Sequence, residues 1–267
     1  MRSKTVEIGN VSVIRDGRRI LGPIDLDLFR GESVCILGPN GSGKTTLSQL
    51  ISGGVYPYFD EEAPHTFRLF GRERCPRSEL LSRIGIVSMD LQYRFPSDTT
   101  VYEVVCSGLF RGTGVHPDSI VSEDIDSKVR SASGMMGIGG ILDREVSKLS
   151  LGEMRCALIA RALVHGPDML ILDEPMTGLD IVMRSRFRSL LDRLIGNGTA
   201  IVLITHDLME IPASVDRIIA LKDGRILADG DKRRVLRDDL ITELYGQSIK
   251  IMEDNGAYQM ILGGSGV

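Results

Sequence analysis

The sequence predicts an α/β fold built on a mixed, mostly parallel sheet, and three observations carry that prediction. Apolar runs of strand length recur at 33–37, 84–87, 169–172, 200–204 and 217–221. Helical patterns separate several of them, as strand–helix–strand units require. The first run ends in a glycine-rich loop that opens directly into a helix.

Taken in order, the first thirty residues alternate. Val6, Ile8, Val11 and Val13 precede Asp16-Gly17, and Ile24, Leu26 and Leu28 then alternate with Asp25 and Asp27. Period-two alternation broken by Asp-Gly predicts an antiparallel pair. After the strand 33–37, Leu47, Leu50 and Ile51 recur at helical spacing, and Gly53-Gly54 stops that helix. Residues from about Pro96 to Ser150 carry weak strand signals and many Gly and Ser, and are read as a mostly helical insert. A helix is predicted from Ser150 to about Val164. Another follows Asp180, with Met183, Phe187, Leu190, Leu191 and Leu194 on one face. The tail after Asp231 reads as one helix and a small hairpin turning at Asn255-Gly256, with Gly263–Val267 frayed.

The composition excludes several classes. Hydrophobic residues at 42% and charged residues at 25% describe a globular chain and rule out full disorder. The 32 Lys and Arg against 36 Asp and Glu give a net charge of −4, so there is no global basic field and no nucleic-acid partner is expected. Cys35, Cys75, Cys106 and Cys156 form no close Cys-x-x-Cys pair, which argues against a zinc ribbon or a disulfide scaffold. No apolar stretch reaches membrane-spanning length, and residues 1–7 lack the apolar core of a signal peptide. The expected location is the cytoplasm, with any membrane role depending on recruitment by a partner.

Gly38-Pro39-Asn40-Gly41-Ser42-Gly43-Lys44-Thr45 fits G-x-x-x-x-G-K-[ST], with Thr46 following. Glycines let successive N–H groups turn toward phosphate oxygens, and the next helix offers its positive end to the same anion. Lys44 suits the β- and γ-phosphates, and the Thr45 hydroxyl suits Mg²⁺. Met169–Leu172 runs into Asp173-Glu174, which places Asp173 to serve the Mg²⁺ shell and Glu174 to act as a general base on water. Ser150 and Glu153 form S-x-x-E, a capping box that turns Glu153 toward its own backbone. The same helix start, with Gly152, suits a second phosphate contact. His206 directly follows the strand 200–204 and reads as a γ-phosphate contact.

Together these motifs resemble the nucleotide-binding subunit of ATP-binding cassette (ABC) transporters, over roughly residues 5–235. Gly38–Thr45 looks like the Walker A loop and Met169–Glu174 like Walker B. Leu149-Ser150-Leu151-Gly152-Glu153 is similar to the LSGGQ signature, Thr177-Gly178-Leu179-Asp180 to the D-loop, and His206 to the switch histidine. The resemblance implies a P-loop NTPase core with an N-terminal antiparallel β subdomain. It implies an ABC ATPase domain over 1–235, with a helical subdomain inserted at about 96–165, followed by a helix and hairpin extension over 236–267. It also implies ATP and Mg²⁺ as cofactors, Ser150, Gly152 and Asp180 at the nucleotide, and ATP hydrolysis between two head-to-tail subunits. The second subunit is another copy or a paralogue, and the pair drives membrane-spanning permease subunits from the cytoplasmic face.

Three positions depart from the family pattern. Arg15, 29 positions before Lys44, stands where an aromatic usually stacks on adenine. Leu151 and Glu153 replace Gly and Gln of the signature. The Q-loop glutamine is displaced to Gln92, read here as a metal and catalytic ligand on a longer loop, as in molybdate- and iron-type ATPases. Thr100-Val101-Tyr102-Glu103-Val104-Val105 resembles a stretch of metal-chelate and cobalamin importer ATPases and favours an importer. The alternative is a non-transport ABC ATPase acting on a soluble macromolecular partner. Against it, residues 46–149 hold no heptad run and the chain has one cassette.

Overall fold

The computed structural model describes residues 2–110, 122–254 and 256–263. Asn255 of the expected hairpin turn, residues 264–267 of the expected frayed end and residues 111–121 of the expected insert lie outside the described residues.

β1 (Lys4–Arg15) pairs antiparallel with β2 (Arg18–Phe29), setting Val6 opposite Leu28 and Ile8 opposite Leu26. The alternation buries Val6, Ile8, Val11 and Val13 on one face. β3 (Val34–Leu37) then enters the main sheet, and α1 (Lys44–Ile51) follows it. β4 (Thr66–Leu69) closes the small sheet in the order β2-β1-β4. This strand was not anticipated, because it is four residues long and mostly half-buried.

α2 (Arg77–Arg83) leads into β5 (Ile84–Val87). The insert contributes α3 (Val101–Cys106), α4 (Glu123–Met135) and α5 (Leu151–Leu163), packed on one another. Thr100 and Glu103 form a capping box at the start of α3, and Ser150 and Glu153 form the expected one on α5. β6 (Met169–Asp173), α6 (Ile181–Gly196), β7 (Ile201–Thr205) and β8 (Arg217–Lys222) match the predicted elements. β9 (Arg225–Asp231) is a further strand that sequence reading missed, because its half-buried edge position leaves no clear alternation.

The main sheet runs β5-β6-β7-β3-β8-β9, parallel except for the antiparallel edge strand β9. Its strands divide their residues between two cores. Val34, Ile36, Ile171, Val202, Ile204 and Ile219 face the core shared with α1 and the small sheet. Cys35, Leu37, Leu170, Leu172, Leu203 and Ile218 face the core under the insert and α6. Burial on both faces is why these strands read as unbroken apolar runs.

The predicted single helix after Asp231 is two: α7 (Lys232–Val235) and α8 (Asp238–Tyr245). The chain becomes extended at Arg237, and Asp238 and Asp239 then open α8, where acidic side chains favour a helix N-terminus. β10 (Ile249–Asp254) and β11 (Ala257–Leu262) form the expected hairpin.

The fold makes α5 a core helix, and Leu158 within it is fully buried. Leu158→Ala is expected to lower stability by about 2–5 kcal/mol. Urea unfolding should show a lower midpoint with an unchanged slope.

Candidate active site

The glycine loop 38–43 leaves β3 in a form that few other residues permit. A Cβ on Gly38 would lie 2.2 Å from the Leu221 carbonyl oxygen, so the loop runs hard against β8. Gly41 and Gly43 take φ of +80° and +101°, the left-handed region open to glycine. Gly43 starts α1 without a side-chain cap, which leaves the first helical N–H groups available to an outside acceptor. The Ser42 hydroxyl is buried in the same turn without a hydrogen-bond partner among the described residues. An open loop of N–H groups with an orphaned hydroxyl fits a phosphate.

Lys44 is 5% exposed, and its ammonium donates to the carbonyl oxygens of Gly38 at 2.8 Å and Pro39 at 3.0 Å. Burial pulls its pKa down, and the charges of Glu174 and Asp173 oppose that. Burial and the neighbouring Glu174 charge push the Asp173 pKa up, while Thr45 and Lys44 pull it down.

Glu174 sits where β6 ends. Its φ is +49°, and its N–H donates to the Ile204 carbonyl at 2.9 Å. That turn sends the carboxylate across the sheet edge. One oxygen, Oε1, lies 3.3 Å from His206 Nδ1 and 3.7 Å from Lys44 Nζ. The other accepts from the Thr177 hydroxyl at 3.4 Å. Three loops, after β3, β6 and β7, thus meet at one carboxylate.

The loop after β7 is held by buried polar contacts. Thr205 donates to the buried Glu210, whose pKa burial pushes up. Asp207 caps the short 3-10 turn Leu208–Glu210 by accepting from the Met209 N–H. Arg184 of α6 donates to Asp207 at 3.1 Å and to the Leu179 carbonyl at 2.9 Å. Arg184, Asp207 and Glu210 were not singled out from the sequence, and Thr177 was named there only as part of the D-loop-like stretch. The pattern Thr205-His206-Asp207 with Glu210 is visible as a polar cluster after a strand, whereas Arg184, one of several arginines on α6, carries no local signal of its partner.

The remaining predicted residues lie apart from this cluster. Arg15 is exposed at the tip of the β1–β2 hairpin, which touches the glycine loop through Ile20: a Cβ on Gly43 would lie 3.2 Å from the Ile20 carbonyl. Gln92 is half-buried in a 3-10 turn, Met89–Arg94, rather than in an open loop. Among the described residues no hydrogen bond joins it to Thr45, Asp173 or Glu174.

Ser150 is exposed, and its hydroxyl accepts from the Glu153 N–H while Glu153 Oε2 accepts from the Ser150 N–H at 2.8 Å. Glu153 also takes a 2.8 Å bond from Arg144. Gly152 is buried, and a Cβ on it would lie 2.3 Å from the Met183 methyl, so its bare side faces α6 of its own chain. Leu151 packs toward Gly178. The Asp180 carboxylate caps α6, accepting from the N–H groups of Val182 and Met183. Within this chain, then, Gly152 and Asp180 are engaged by α6.

A parallel sheet whose strand ends carry a glycine loop, a buried lysine and paired carboxylates defines a P-loop nucleoside triphosphatase. The ABC transporter family pattern matches residues 21–177, more than half of the chain, and the chain belongs to that family as an ATP-binding ATPase coupled to transport. The hemin import ATP-binding protein HmuV of Rhodopseudomonas palustris strain BisB18 is 35% identical over 243 residues, covering 86% of this chain and 83% of that protein. The zinc transport system ATP-binding protein TroB of Treponema pallidum is 29% identical over 246 residues, covering 91% and 88%. Among solved structures, cbiO1 of Clostridium perfringens, part of the cbiONQ transporter complex, aligns with a TM-score of 0.75 at 28% identity, over 90% of this chain and 94% of that one. The fold is therefore the ABC ATPase fold, and HmuV is by name an import ATP-binding protein. Among the described residues no helix is long and apolar enough to cross a membrane.

Lys44→Ala removes the buried cation and keeps the glycine backbone. The ATP dissociation constant is expected to rise at least about tenfold, since hydrogen bonds to charged groups contribute about 1.5–3 kcal/mol. Calorimetry on a variant with parental circular dichroism checks this, and an unchanged constant would remove Lys44 from the phosphate site.

Proposed function

We propose that this chain is the energising subunit of a membrane importer, hydrolysing ATP as one of two head-to-tail subunits bound to a membrane-spanning permease. The observation that carries the reading is the division of the motifs. Lys44, Asp173, Glu174 and His206 gather at one sheet edge, whereas the exposed cap of α5 at Ser150 makes only local bonds. The first N–H groups of a helix are donors that can be offered to a phosphate outside its own chain. Import is supported by HmuV, whose name assigns it to hemin import, and transport by TroB, whose name assigns it to a zinc transport system.

In this reading the glycine loop and the N-terminus of α1 hold the phosphates, with Ser42 supplying a further donor. Lys44 moves from the Gly38 and Pro39 carbonyls to the β- and γ-phosphates, which replace two neutral acceptors with anionic ones. Glu174 accepts the proton of the attacking water, and its position between Lys44 and His206 orients it for that transfer. His206 contacts the γ-phosphate. Arg15 offers a planar guanidinium to adenine from the hairpin tip, and Gln92, in the 3-10 turn after β5, would add an amide oxygen to the metal shell. Among the described residues no group of three or more His, Cys, Asp or Glu could hold a metal alone. Thr45 and Asp173 nevertheless present the two hard oxygen ligands that suit Mg²⁺, a cation that completes its shell with phosphate oxygens and waters. When bound, it would neutralise charge developing on the phosphates.

The head-to-tail arrangement predicts complementation. Lys44→Ala and Ser150→Arg chains should each be inactive, while their mixture regains part of the parental ATPase rate, because one composite site in the mixed pair carries neither lesion. A mixture in which heterodimers form and activity stays at background would contradict the arrangement.

A further inference from the structure

The C-terminal helix α8 reaches the loop that carries His206. The Tyr245 hydroxyl donates to the His206 carbonyl oxygen at 2.6 Å, from 39 residues further along the chain. Tyr245 is the last residue of α8, and Ile241 and Leu244 bury that helix in the core beneath the insert and α6. The Lys222 ammonium donates to the Glu243 carbonyl, tying α8 to the end of β8. Thr242 bonds the main chain of Ile249 through both its N–H and its carbonyl, which fixes the start of the hairpin to α8. β11 packs on the turn Leu208–Glu210, and Tyr258 of that strand is 4% exposed. On the opposite flank Arg184 holds Asp207 and Arg188 holds the Met209 carbonyl. The main chain around His206 is therefore clamped between α6 and the C-terminal unit, while its imidazole stays 41% exposed.

We infer that Tyr245 is a positioning residue for His206: its hydroxyl fixes the main chain at the end of β7 so that the imidazole stays beside Glu174. The 3.3 Å contact between His206 and Glu174 depends on where the His206 backbone lies, because a single side-chain contact does not by itself hold a part-exposed ring. Packing alone would be met by Phe at this position, and only the hydroxyl reaches the carbonyl. Burial pushes the Tyr245 pKa up, with Cys35 and Asp207 adding to the shift, so the hydroxyl remains a proton donor across the working range. The inference rests on the role given to His206 above.

The test is a double-mutant cycle on the full chain. Tyr245→Phe should lower kcat for ATP hydrolysis about three- to tenfold, the range of one lost hydrogen bond, with KM within about twofold. In a His206→Ala background the same substitution should cost nothing further, because the group it positions is gone. An equal loss in both backgrounds would make Tyr245 merely structural and overturn the inference, as would a parental kcat for Tyr245→Phe alone. A His206→Ala chain with parental kcat would instead overturn the role of His206, and the inference with it. A second readout is the ¹³C resonance of the His206 carbonyl in the nucleotide-free chain, which should move in Tyr245→Phe. An unmoved resonance would mean that the bond is absent in solution.

Discussion

The site depends on the parallel register of β6, β7 and β3. Asp173 lies opposite Ile204, and Leu37 lies opposite Thr205, so three strands end at the same level. A slip of one residue would reverse which core every side chain faces. Val34 and Cys35 face different cores, as do Leu170 and Ile171, so such a slip would misplace both sets at once. The register is thereby fixed by apolar packing, and that register brings the strand ends carrying the glycine loop, Glu174 and His206 to one edge.

At that edge like charges are held close. Asp173 and Glu174 are adjacent carboxylates, and the pKa of Asp173 is raised by burial and by its neighbour. Lys44 is the nearby cation that offsets them, itself buried and satisfied by loop carbonyls. Glu174 also takes a left-handed backbone that costs a non-glycine residue about 1–3 kcal/mol. Such strain persists where surrounding contacts over-determine it, and here the Ile204 carbonyl and Thr177 do so. Lys44 and the N-terminus of α1 are the positive groups at this edge that an anionic phosphate would meet.

Much of this was legible in the sequence, for identifiable reasons. Strands buried on both faces leave unbroken runs such as Met169-Leu170-Ile171-Leu172, and phosphate loops demand glycine at set spacing. Capping boxes are local, so the pairing of Ser150 with Glu153 could be read directly. Edge and half-buried strands leave no such mark, which is why β4 and β9 were missed. Gly152 shows a different limit: a glycine needed for close approach does not say to what, and within the chain it approaches Met183. Contacts across long separations, such as Arg184 with Asp207 and Tyr245 with His206, have no local sequence signal at all.

The central claim is that the Glu174 carboxylate, carried over the glycine loop by the turn at the end of β6, acts as the base. The most direct measurement is a single-turnover ATPase assay of Glu174→Gln, with ATP binding measured in parallel. Glutamine keeps the size of the side chain and removes the proton acceptor. The account predicts ATP affinity within about twofold of the parent and hydrolysis slowed by at least about 100-fold, the scale of general-base catalysis. Hydrolysis at the parental rate would contradict it.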